Sequence, residues 1–204
     1  MKLLCLIIIL LSTVKAYAQD DFAAIQRQWA VCEYQVPAKQ QSDCLEKLSI
    51  NADRISDLDH SRVDALIWAA IVKSSWAGSK GGLGALSLAK DAKQKLETAL
   101  RLNPGALSGS AYVSLGALYY RVPGWPIGFG DDKRAEQLLK QALIINPDGI
   151  DANYFYGDFL LGQKRKDEAR LYLNKALKAP ARPGRELADR GRRQDIEQCL
   201  LKLQ

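Results

Sequence analysis

Asn153-Tyr154-Phe155-Tyr156-Gly157-Asp158-Phe159-Leu160, a polar turn from Gly162 to Asp167, then Ala169, Leu173, Ala176 and a closing Pro180: this stretch decides the fold. Its apolar residues have the spacing of two short amphipathic helices, with a glycine inside the first. The pattern recurs upstream as Tyr112, Leu115, Gly116 and Tyr119, followed by Ala135, Leu139, Ala142 and Pro147. A weaker copy reads Trp68, Ile71, Val72 and Ser75, then Ala92, Leu96, Ala99 and Pro104. Glycine inside a helix is destabilising by about 0.5–1 kcal/mol relative to alanine, so Gly116 and Gly157 need a reason. Close approach of the second helix of each pair supplies one, with Ala135, Ala142, Ala169 and Ala176 as the small residues opposite. The Asn-Pro steps at 103–104 and 146–147 stop those helices where the next unit must begin. The expected fold is all-α: helical hairpins stacked over residues 61–180.

These units resemble the helix-turn-helix repeat of the tetratricopeptide family, W-x2-L-G-x2-Y…A-x3-F…P, with Asn153 and Leu160 standing at aromatic positions. Ala142 and Ala176 lie 34 residues apart, the period of that family. The resemblance implies an α-solenoid whose repeats bury their faces only against neighbours, so both ends need covering. An N-terminal helical hairpin within 19–60 covers one end: Phe22, Ile25, Trp29 and Cys32 share a helix side, Val36-Pro37 breaks it, and a second helix runs to about Leu58. A C-terminal capping helix within 181–204 covers the other, with Leu187, Ile196, Leu200 and Leu203 inward. Arg190, Arg192, Arg193, Asp195 and Glu197 are placed on or near its wet side, which reads the arginine run as a solvated face and not a nucleic-acid patch.

The 204 residues are 48% apolar and 25% charged, with a net charge of +6 concentrated near the C-terminal end. A single histidine, His60, leaves no multi-histidine metal site or histidine triad, and no cofactor motif is present. Gly81-Gly82-Leu83-Gly84 lacks the lysine of a phosphate loop and follows a helix. Met1-Lys2, the apolar run Leu3 to Leu11 and Ala16-Tyr17-Ala18 read as a secretory signal over 1–18, too short to span a bilayer, with the mature chain starting at Gln19. The expected location is periplasmic or secreted, with no stable membrane span once the signal is removed. In an oxidising compartment Cys32 and Cys44 face each other across the Pro37 turn, either as a disulfide or as two buried thiols. A bond closing so short a loop would contribute on the order of 3 kcal/mol. Cys199 reads as a core thiol.

The first two units are longer between their helices than the third. The added stretches, Trp76 to Leu86 and Arg121 to Lys133, hold seven of the fifteen glycines and two of the four tryptophans. Glycine beside aromatics fits a loop that meets a ligand. It equally fits a loop in which Trp125, Ile127 and Phe129 fold back to pin the helices while Asp131 or Asp132 caps the next one. The stretch Pro123-Gly124-Trp125-Pro126-Ile127-Gly128-Phe129-Gly130-Asp131-Asp132 inside such a pair is similar to the periplasmic T component associated with TRAP transporters. That resemblance implies a non-enzymatic accessory that binds a protein partner, a periplasmic solute-binding subunit of the transporter. The alternative is a carrier for a small apolar ligand held between the two Gly-rich stretches; an enzyme using Asp131-Asp132 with Asp148 or Asp151 ranks third. The expected concave face carries Ala69, Lys73 and Trp76, then Val113, Ala117 and Tyr120, then Tyr154, Asp158 and Leu161. Lys73, Trp76, Tyr120, Trp125, Tyr154 and Asp158 are the candidate cleft residues.

Overall fold

The computed structural model describes residues 22–59 and 61–204; the expected signal at 1–18, the expected mature start at Gln19, and His60 lie outside the described residues. The described residues form α1 (22–34), α2 (Ala38–Leu58), α3 (Val63–Lys80), α4 (Gly82–Leu102), a 3-10 turn (Ala106–Gly109), α5 (Ser110–Arg121), α6 (Asp132–Ile145), α7 (Ile150–Gly162), α8 (Lys166–Leu177) and α9 (Glu186–Leu201), with no strand among them. The fold is an all-α solenoid. Helices α3 and α4, α5 and α6, and α7 and α8 pack as hairpins, and each hairpin packs on the next.

The glycines and alanines perform the packing that the spacing calls for. A Cβ on Gly116 would stand 2.8 Å from Leu139 Cγ, and one on Gly157 2.8 Å from Leu173 Cγ. Ala135, Ala142, Ala169 and Ala176 are fully buried on the helices that carry those leucines. Asn103 and Asn146 leave helical geometry (φ −155° and −135°) directly before Pro104 and Pro147, because the proline ring excludes the α region at the preceding residue.

Between α1 and α2 the chain turns at Pro37 (φ −56°), and Cys32 and Cys44 form a disulfide with their Cα atoms 5.6 Å apart. Ile25, Trp29, Leu45 and Leu48 fill the hairpin and continue into Ala65, Trp68 and Val72 of α3.

The two glycine-rich stretches have different structures. The first is not a loop: α3 runs to Lys80 and α4 starts at Gly82, with Gly81 (φ 63°) alone between them. The extra residues lengthen both helices, because the alanines and leucines around the turn are good helix formers and glycine reverses the chain in one step. The second is a loop, tied by a bridge between Gly124 and Gly130 and containing a cis Trp125–Pro126 peptide bond. Phe129 packs edge-on against Tyr119 at 5.6 Å, and Asp131 caps α6 by accepting from the Arg134 amide at 3.0 Å. Phe129 therefore pins the loop, whereas Trp125 is 90% exposed and Ile127 68%.

Candidate functional site

The helix faces turned away from the hairpin partners enclose a cleft of about 1130 Å³. Its apolar wall is built from Trp68, Ile71, Leu86, Val113, Ala117 and Phe155, and its polar lining includes Glu33, Ser75, Ser114, Arg121 and Arg185. Leu107 and Ser108 also line it, both with left-handed backbone (φ 48° and 54°). Residues with a Cβ meet a steric penalty there, and the packing of Leu107 between two apolar clusters holds the conformation.

The solenoid closes on itself around this cleft. Helix α9 sets Ile196 and Cys199, and the turn after it Leu203, against α7 and α8, while its first turns place Leu187 and Ala188 in the N-terminal core. Gly191 lies directly on the ring of Tyr34 from α1, and the Tyr34 hydroxyl donates to Asp195 Oδ2 at 3.2 Å. The C-terminal helix thus bridges the two ends besides covering one.

That closure relies on a chain of ion pairs. Arg182 reaches Asp189 at 2.7 Å and Asp151 at 2.6 Å; Asp151 accepts from Arg192 Nε at 2.9 Å; Arg192 continues to Asp195 at 3.1 Å. Arg192, expected on the wet side, is 8% exposed and lies over the rings of Tyr154 and Phe155 at 4.4 and 4.8 Å. It turns inward because α7 supplies the acid, Asp151, that makes burial of a guanidinium tolerable. Burial pushes the Asp151 carboxyl up, but Arg192 and Arg182 outweigh it and hold the group well below the ordinary aspartate range. Burial raises the Glu33 carboxyl against the pull of Arg192.

None of the six candidate cleft residues is among those lining the cleft. Lys73 is buried in ion pairs with Asp53 and Asp91. Trp76 is half-buried against the N-terminal core with Lys80 4.8 Å above its ring. Trp125 extends from its loop into solvent. The structure does bring three together: Tyr120 donates to Asp158 at 2.6 Å, where Arg121 also binds at 2.8 Å, and buried Tyr154, its hydroxyl pushed by burial up to about 12, lies on the same helix as Asp158. These residues join neighbouring helices and do not face the cavity.

The difference is one of register. Gly157 points at α8, so at 3.6 residues per turn Phe155 lies roughly 160° round the helix from it, whereas Tyr154 and Asp158 lie only about 60–100° away. The inner face of α7 is accordingly Asp151, Ala152 and Phe155, and that of α3 is Ile71, Ser74, Ser75 and Gly78; in α5 the expected Val113 and Ala117 do line the cleft. The glycine-rich stretches also reach it, through Gly78, Gly82 and Leu86 from one and Val122, Pro123 and Ile127 from the other. Arg185, Phe155 and Glu33 were missed; for Phe155 the position of Gly157 was the available signal.

No curated protein matches the chain in sequence. Residues 127–186 match the tetratricopeptide repeat family. Among solved structures, a thermophilic tetratricopeptide protein of Thermus thermophilus is similar to the chain at a TM-score of 0.58 and 19% identity, over 92% of this chain and 95% of that one. The protein MamA is similar at a TM-score of 0.47 and 17% identity, over 83% and 94%. YrrB, described as a tetratricopeptide protein with an unusual peptide-binding site, is similar at 0.43 and 19%, over 84% and 87%. The repeat match thus covers residues 127–186, and over nearly all of its length the chain has the helical-repeat fold of the Thermus thermophilus protein.

Proposed function

We propose that the protein is a non-catalytic binding module that receives an apolar segment of a partner protein in its closed cleft. The observation that carries this reading is the cleft: about 1130 Å³, with an apolar wall and a few polar side chains in its lining, above the usual range for small-molecule sites. A non-catalytic role is supported by the positions of the acids. Asp131 caps a helix, Asp148 is 3.3 Å from Lys175, and Asp151 is held between two arginines, so none is poised as a proton-transfer pair. Ser114 lies half-buried on the cleft wall, and Ser114→Trp would set an indole into the cleft. The variant should keep the wild-type melting temperature and lose partner capture in a cross-linked pull-down. Undiminished capture would place the binding surface elsewhere.

We further propose export to the periplasm, on the strength of the signal-like segment 1–18 and the Cys32–Cys44 disulfide, and an accessory role beside the solute-binding subunit of a TRAP-type transporter, on the strength of the Pro123 to Asp132 loop. Cell fractionation tests the first, and co-purification with such a subunit tests the second. A small apolar ligand is the second reading, favoured because both glycine-rich stretches contribute to the cleft wall. Native mass spectrometry of the exported protein would show it as added mass.

A further inference from the structure

Three arginines cluster where the segment before α9 and α9 itself meet the cleft, and they are not equivalent. Arg182 and Arg192 share Asp151 and each takes a second acid. Arg185 lines the same cleft, lies 4.8 Å over the ring of Trp68, and has a buried Nε with no hydrogen-bond partner. Among the described residues no ion pair of Arg185 occurs. A guanidinium carries five donors in a fixed fork, and a buried donor left unpaired costs the full desolvation of that group. Burial and the nearby Arg182 both lower its pKa, the direction opposite to that of its paired neighbours Arg182 and Arg192.

We propose that the Arg185 guanidinium is the anion-receiving group of the cleft and takes the carboxylate of a ligand whose apolar body lies along the wall. The Trp68 ring, 4.8 Å from the guanidinium carbon, backs the fork on one side, which helps position it for a carboxylate. Arg182 and Arg192 hold Asp151, Asp189 and Asp195 between them, so Arg185 alone of the three has no carboxylate on its guanidinium, and an anionic group of the ligand supplies it. Ile71, Leu86 and Phe155 give the rest of such a ligand an apolar surface. The proposal rests on the cleft being the binding site and specifies the chemistry of what enters it. The carboxylate can belong to a free amphipathic acid or to an acidic residue or terminus of the partner segment; the chemistry at Arg185 is the same.

The test uses octanoate and octanamide, which share a chain length and differ in charge, and an apolar octapeptide with a free or an amidated C-terminus. Binding is followed on the folded protein by the Arg185 Nε–H resonance and by tryptophan fluorescence. The charged member of a pair should bind at least about tenfold more tightly, the size of a hydrogen bond to a charged group, and should shift the Arg185 resonance. Preference within the octanoate pair points to a free acid, and preference within the peptide pair to a partner segment. Arg185→Gln should abolish the preference while the protein stays folded, since no ion pair is lost, and Arg185→Lys should restore only part of it. Equal binding within both pairs, an unmoved Arg185 resonance, or an undiminished preference in Arg185→Gln would overturn the proposal. Partner capture by Ser114→Trp is a separate readout: if capture survives while the carboxylate still shifts Arg185, the partner-binding reading fails and the anion site stands.

Discussion

Asp151 is the residue on which the closure turns, because it is the acid common to Arg182 and Arg192. Replacing it by asparagine leaves Arg192 buried without its main counter-charge, and removal of one member of a buried pair typically costs roughly 3–5 kcal/mol. The folded carboxyl is held below its ordinary value of 3.8, so its stabilisation is present above about pH 4 and is lost as pH falls toward the folded value. Chemical denaturation at pH 7 should therefore show Asp151→Asn several kcal/mol less stable than wild type, with the gap narrowing below pH 4. A constant gap down to pH 2 would mean that packing, not charge, is what Asp151 contributes. None of this was legible in the sequence. Helical spacing puts Arg192 beside Asp195 and reads as a wet face; the acid that buries it lies 41 positions away on α7, beyond the reach of local pattern.

For the elements, helix positions were legible and the direction of each inner face was only partly so. Proline and glycine punctuation marks where α2, α4 and α6 begin or end, because those residues restrict or free the backbone itself. The first glycine-rich stretch misled because the same composition serves an open loop and a one-glycine helix turn, and the lengthened α3 and α4 are held by packing that the sequence does not display. Two glycines separate packing from propensity. Alanine at Gly78 meets nothing within 4 Å, so Gly78→Ala should stabilise by about 0.5–1 kcal/mol. At Gly157 the added methyl would stand 2.8 Å from Leu173 Cγ, and overpacking of about 1–3 kcal/mol exceeds the propensity gain. Gly157→Ala should therefore unfold earlier and Gly78→Ala later in thermal melts. Stabilisation by both would show that the α7–α8 approach is slack.

At the scale of the whole molecule, a repeat array normally has only nearest-neighbour contacts, and its ends fray independently of each other. Here α9 reaches back to α1, so the first and last helices share one core through Leu187, Ala188 and Trp29 and one polar link through Tyr34 and Asp195. Repeat spacing shows which units are neighbours and carries no information on whether the two ends meet, which is why the sequence yields two separate caps where the structure has a ring. The ring also sets the cleft, since Glu33 from α1 and Arg185 from the segment before α9 both line it. Gly191 tests the coupling, because any side chain there would run into the Tyr34 ring. Gly191→Leu should pry α9 from α1, and amide hydrogen exchange in both helices should accelerate together while α5, α6 and the α7–α8 pair keep their protection. Tyr34→Phe, which removes only the hydroxyl bond, should cost about 1 kcal/mol and leave the exchange pattern uniform. Faster exchange confined to α9 in Gly191→Leu would show that α1 holds without it, and the molecule would then behave as an open solenoid.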